Sequence, residues 1–171
     1  MYPQERVARF IEENFIPVRL HLREQAEDFQ RIGERYGALW TPTILELDPD
    51  GNEHHRVEGF LEVDDFLAQL KLGLGKIAFN AKRWEEAERT FEDVVNQHGN
   101  TDAASEALYW AGVSRYKASG DPRELARTAA AFTARYQDST WAKKASIWKA
   151  DSEAGRRAPA VVESRPPESR A

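Results

Sequence analysis

From Val63 to Ala150 the apolar residues recur only at helical spacing, in segments separated by short polar breaks. This constrains the fold more than any other feature of the chain. Phe66, Leu67, Leu70, Leu74 and Ile77 share one face by 3.6-residue counting. Ala81-Lys82-Arg83 interrupts, and Trp84, Ala87, Phe91, Val94 and Val95 form the next stripe. Asn100-Thr101 breaks again, with Thr101 expected as N-cap, and Leu108, Ala111, Gly112 and Tyr116 follow on one face. Asp121-Pro122 with Glu124 reads as a capping-box variant opening a helix that carries Leu125, Ala129, Phe132 and Tyr136. Ser139 is expected to cap a last helix holding Ala142, Ala145 and Trp148. Amphipathic helices joined by such short breaks bury their stripes against their chain neighbours, so helical hairpins stacked side by side are expected.

The region before Val63 is of another kind. Val7, Phe10 and Ile11 predict a helix over Glu5–Asn14. Ile16, Val18, Leu20 and Leu22 alternate with Arg19 and His21, which predicts a half-buried strand over Phe15–Leu22. Ala26, Phe29, Ile32 and Tyr36 return to helical period, and Gly37 suits the residue that ends that helix. Next, Thr41-Pro42 opens an apolar run through Leu47, Asp48-Pro49-Asp50-Gly51 supplies a tight reversal, and Glu53–Glu58 follows as a second strand. Phe60 to Asp64 is too short for a flexible linker, so the helices are expected to continue almost directly from the hairpin.

Composition narrows the function classes. The chain has 171 residues, 41% hydrophobic and 31% charged, as expected of a soluble globular protein with a sizeable core. A formal net charge of -5 argues against nucleic acid as partner. No apolar run approaches the roughly 20 residues that span a bilayer. The start is not a basic-then-apolar signal, so a cytoplasmic location is expected. The absence of cysteine removes disulfides, thiolate nucleophiles and cysteine metal sites from this polypeptide. Beyond Ala150, Pro, Ser, Glu and Arg without large apolar residues predict a disordered tail over residues 151–171.

Two family resemblances rest on named residues. Phe15-Ile16-Pro17-Val18-Arg19-Leu20, Tyr36-Gly37, Trp40-Thr41-Pro42-Thr43, Leu47-Asp48-Pro49-Asp50-Gly51 and Glu58-Gly59-Phe60-Leu61 resemble the C-terminal two-thirds of a thioredoxin-fold domain. That resemblance implies a cis Thr41–Pro42 bond and a peptide-docking loop at Trp40, Thr41 and Pro42. It covers about the first 70 residues and lacks the family's Cys-x-x-Cys. Leu74-Gly75, Trp84-Glu85-Glu86-Ala87 and Phe91 resemble a tetratricopeptide repeat. Ala111-Gly112, Tyr116, Phe132 and Tyr136-Gln137-Asp138-Ser139 resemble a second, and Ser139–Ala150 the first helix of a third. The expected fold is therefore α+β followed by α: a partial thioredoxin-like domain over residues 1–62, then repeat-like helices over 63–150.

Few residues invite chemistry. His54 and His55 are adjacent on a strand, so their side chains should diverge and one metal ion could not take both. They are expected at the surface, with no metal and no cofactor. Asp64/Asp65 and Glu85/Glu86 sit in first helical turns, where the helix dipole favours carboxylates. Trp84, Trp110, Trp141 and Trp148 read as packing, although Trp110 lies off the face set by Leu108 and Ala111 and is a candidate for a concave binding surface. These readings favour a non-catalytic module that binds protein or peptide segments. The alternative is the C-terminal part of a thiol–disulfide oxidoreductase whose Cys-x-x-Cys precedes Met1. An incomplete sheet edge would also favour self-association.

Overall fold

The computed structural model describes residues 4–149, so the expected tail lies outside the described residues. Among these are seven α-helices and two β-strands, in the order α1 (Glu5–Asn14), α2 (Ala26–Tyr36), β1 (Thr43–Leu47), β2 (Glu53–Glu58), α3 (Val63–Asn80), α4 (Trp84–Gln97), α5 (Asp102–Ser119), α6 (Arg123–Arg135) and α7 (Thr140–Ala145). No helix among the described residues is long and apolar enough to cross a membrane.

The helices after Val63 stack as neighbouring antiparallel pairs: α3 on α4, α4 on α5, α5 on α6, with α7 against α5 and α6. Phe91 and Phe132 are fully buried at the centre of this stack, with Leu72, Val94 and a set of alanines around them. Glycine sets the closeness of two crossings. A Cβ at Gly75 would overlap the Phe91 ring, and one at Gly112 would overlap Thr128. Arg115 joins three helices from the side, with Glu92 at 2.7 Å, Glu88 at 3.5 Å and Glu124 at 3.6 Å.

α3 is not a one-sided helix. Phe66, Leu67 and Leu70 pack with Val7 and Ile11 of α1, while Ala68, Leu72 and Ala78 belong to the helical stack. The single stripe expected for it therefore understates its burial: α3 is the shared wall of two clusters, so it buries apolar residues on two sides.

β1 and β2 form a two-stranded antiparallel sheet with Thr43 opposite Glu58, Ile44 opposite Val57 and Glu46 opposite His55. A lone hairpin is marginal in water, and this one is held from both faces. Ile44 and Glu46 turn toward α3. On the other face the Tyr36 hydroxyl donates to the Gly51 carbonyl at 3.0 Å, and the Arg56 guanidinium donates to the carbonyls of Tyr36 and Gly37. Gly37 ends α2 in the left-handed region at φ 61°.

The strand expected over Phe15–Leu22 does not form. Residues 15–20 lie outside any helix or strand, and Ile16 and Val18 are 95% and 80% exposed. Alternation supplies a strand's side-chain pattern but not the neighbouring backbone that its N–H and C=O groups need. Two capping expectations also shift. Thr101 accepts no helix amide; its hydroxyl donates to the His98 carbonyl at 2.7 Å. α6 begins at Arg123, with Pro122 at the cap position, and the Asp121 carboxylate accepts the Arg123 N–H at 2.9 Å. Ser139 does cap α7, accepting the Ala142 N–H at 3.0 Å.

Candidate functional site

The first helices of the successive pairs, α3, α5 and α7, present a continuous row of aromatic rings. Phe79 of α3 stands edge-on to Trp84 and to Trp110, with ring centres 4.9 and 5.1 Å apart. On α5, Trp110 meets Tyr109 at 5.5 Å, and Tyr109 stacks on Trp148 at 4.7 Å and leans on Trp141 of α7 at 5.0 Å. Lys144 sits 3.7 Å over the Trp141 ring as a cation–π partner. Tyr109, Trp110, Trp141 and Trp148 are half-buried: each packs against the core yet keeps part of its ring at the surface. Packing and exposure thus coexist on the same side chains.

A cavity of about 270 Å³ opens at one end of this row, lined by His54, Lys76, Phe79, Asn80 and Trp110. Its apolar wall is the Phe79–Trp110 pair, and its polar lining is His54 of β2 with Lys76 and Asn80 of α3. The surface placement expected for the two histidines is overturned. His55 is 8% exposed, and the His54 side chain is 12% exposed. A bulge explains why neighbours that should diverge both reach α3. Glu46 pairs with His55 and Leu47 with Glu53, so His54 is an extra residue in the ladder. Such an insertion breaks the alternation of faces and re-aims a side chain.

Each ring then has its own partners. The Lys76 ammonium, which can only donate, lies 3.1 Å from His55 Nδ1, so His55 carries its proton on Nε2 and gives it to Gln69 Oε1 at 2.8 Å. Burial, reinforced by the Lys76 charge, holds His55 below the usual imidazole range. The Asn80 amide lies 2.8 Å from His54 Nδ1, and His54 Nε2 donates to Asp48 Oδ2 at 2.8 Å. Asp48 also takes hydrogen bonds from Asn52, and these bonds, His54's first, hold its carboxyl well below the usual range. Lys76 pairs with Glu106 of α5 at 2.7 Å, and Glu106 accepts the Trp110 indole N–H at 3.3 Å. Among the described residues no group of three or more His, Cys, Asp or Glu side chains could hold a metal ion.

Glu46 is the anomaly. It is 4% exposed, and neither carboxyl oxygen has a hydrogen-bond partner. It lies against Gly73, where a Cβ would overlap the carboxyl. Burial pushes its pKa up to about 9, against the pull of Lys76. Glu46 is therefore neutral near pH 7, a carboxylic acid in the space a methylene chain would otherwise fill.

Trp40, Thr41 and Pro42 stand at the far end of the hairpin from Trp110. The Gly59 N–H donates to the Pro42 carbonyl at 2.8 Å and the Thr43 hydroxyl to the Trp40 carbonyl at 2.7 Å. The Thr41–Pro42 bond is cis. Trp40 is 69% exposed, and its neighbour Leu39 is exposed too, as is Phe60, which follows the Gly59 bonded to Pro42. The structure thus does not bring Trp110 together with the Trp40–Pro42 loop.

Sequence reasoning passed over Glu46, Lys76, Glu106, Phe79 and Tyr109. A signal existed for Glu46 and for the glycine it packs against. Glu46 falls in the same phase of the strand as Ile44, where an inward residue is expected. Gly73 is a glycine inside a helix, a mark of close approach by something else.

Residues 68–101 match the family model of the tetratricopeptide repeat. That span holds most of α3, all of α4 and the turn that leads into α5. No curated protein and no solved structure matches the chain. The helical pair α3–α4 is accordingly a tetratricopeptide-like unit, and the pairs that follow continue its stacking.

Proposed function

We propose that this protein is an interaction module that holds a segment of another protein along the face made by α3, α5 and α7. One observation carries the reading: the half-exposed aromatic row Phe79–Trp110–Tyr109–Trp141 runs across successive first helices of a repeat-like stack. Rigid aromatic rings give large contact area at low entropic cost, which suits them to anchoring a partner. The cavity beside Trp110 would take one apolar side chain of that partner, and Lys76 and Asn80 would meet its backbone.

The test is panning of a displayed peptide library against the 171-residue chain, with Trp110→Ala as counter-screen. Peptides carrying an apolar anchor should be enriched and lost on Trp110→Ala, while Arg123→Ala leaves them bound. An enriched set indifferent to Trp110 would refute the assignment of the face.

A second reading is supported by the exposed Leu39, Trp40 and Phe60 beside Thr41-Pro42. In this reading residues 1–62 form a thioredoxin-like portion and the Trp40-Thr41-Pro42 loop takes an extended peptide, or the open sheet edge pairs with a second copy. Reductase chemistry does not follow from it, because a chain without cysteine offers no thiolate to attack a disulfide. Insulin disulfides should remain intact in the presence of the purified chain, and their turnover would overturn this statement.

A further inference from the structure

We infer that the β1–β2 hairpin is a releasable cover for the aromatic cleft, pivoting on the apolar contacts of Ile44 and latched onto α3 at its other end by Glu46, His55 and Lys76. The two ends of the hairpin differ in kind. Ile44 packs against the apolar cluster of Val7, Ile11, Phe66, Leu67 and Leu70, which gives no reason to open. Toward the turn, the contacts with α3 are polar: Glu46 against Gly73, His55 with Gln69 and Lys76, and His54 with Asn80. His54 also forms a wall of the cavity over Phe79 and Trp110, so movement of that end uncovers both rings.

The latch closes only in one state of charge. With Glu46 protonated and His55 neutral, the formal charge beside them is that of half-buried Lys76, and Glu106 of α5 balances it at 2.7 Å. Ionising Glu46 would place a carboxylate with no hydrogen-bond donor between sheet and helix, which undocking relieves by giving it water. The other charged groups do not compensate. Glu53 and Glu58 engage Arg56 on the opposite face, so Glu53 acts on His55 only through space, and Asp48 is bound by His54 and Asn52 at the turn. Gly59, at φ 93° between β2 and α3 with open space about it, supplies a joint.

This inference takes the binding face of the preceding section as what the cover protects, but its test needs no ligand. The ring ¹³Cε1–¹H signals of His54 and His55 and the ¹⁹F signal of 5-fluoro-Trp110 are followed from pH 6.5 to 10.5. The fluorine signal is assigned by Trp110→Phe. In the unmodified chain all three should move together with a midpoint near 9. Glu46→Gln should abolish that step, and Lys76→Met, which removes the cation favouring the carboxylate, should move it to higher pH. No step in the parent chain, an unchanged step in Glu46→Gln, or histidine signals that move while Trp110 stays still would each overturn the proposal. Loss of peptide binding in the panning experiment with these signals behaving as stated would sink the assigned face and leave the cover standing.

Discussion

Replacing Glu46 by Gln isolates what a buried carboxyl costs this fold. Gln keeps the shape and the polar atoms of protonated Glu46 but cannot ionise. In the unfolded chain Glu46 loses its proton near 4.5; in the folded chain burial raises the value to about 9. The folded state therefore holds a proton that the unfolded state has released, and stability falls as pH rises between those values. At about 1.4 kcal/mol per pH unit, the cost reaches roughly 3 kcal/mol at pH 7. Undocking of the hairpin caps this figure, because local release hydrates the carboxylate without global unfolding. Glu46→Gln is expected to leave stability unchanged at pH 4 and to raise it by up to about 3 kcal/mol at pH 7. The opposite pH trend from neutral, buried His55 is present in both proteins and cancels in the difference. Urea denaturation followed by far-ultraviolet circular dichroism at pH 4, 5.5, 7 and 8.5 measures it. A stability difference that is the same at pH 4 and pH 7 would refute the reasoning.

Other substitutions probe the packing. Gly112→Ala forces a methyl group into the Thr128 side chain at the α5–α6 crossing and is expected to cost about 1–3 kcal/mol in urea denaturation. A cost below about 0.5 kcal/mol would mean that the two helices separate freely. Lys82 adopts φ 61° in the turn between α3 and α4, where a side chain is strained. Lys82→Gly should raise the melting temperature through a gain of about 0.5–1 kcal/mol, and a lower one would show that Lys82 makes a compensating contact.

The two halves of the chain were legible to different degrees, for a physical reason. From Val63 on, each element is specified by contacts close in sequence. Trp84, Ala87 and Phe91 define a face by themselves, Ser139 caps its own helix, and short breaks force neighbours together. Before Val63 the elements depend on distant partners. Phe15–Leu22 has a strand's alternation, yet residues 15–20 stay irregular because no backbone runs beside them. His54 and His55 were expected apart and at the surface. A bulge in the pairing with β1, which no local pattern records, turned both toward α3.

Periodicity, turn residues and caps, all local in origin, determined that this chain would be a β-hairpin leading into stacked helical pairs. They also marked Trp110 as a residue out of phase with its helix core. Only the tertiary structure decided what Trp110 stands beside. Phe79, Tyr109 and Trp141 come from three helices, and His54 and Lys76 from a strand and a helix that meet across the polar latch. It also decided the state of Glu46. A carboxyl's charge depends on the water and counter-charges around it, and those are set by folding rather than by neighbours in the chain.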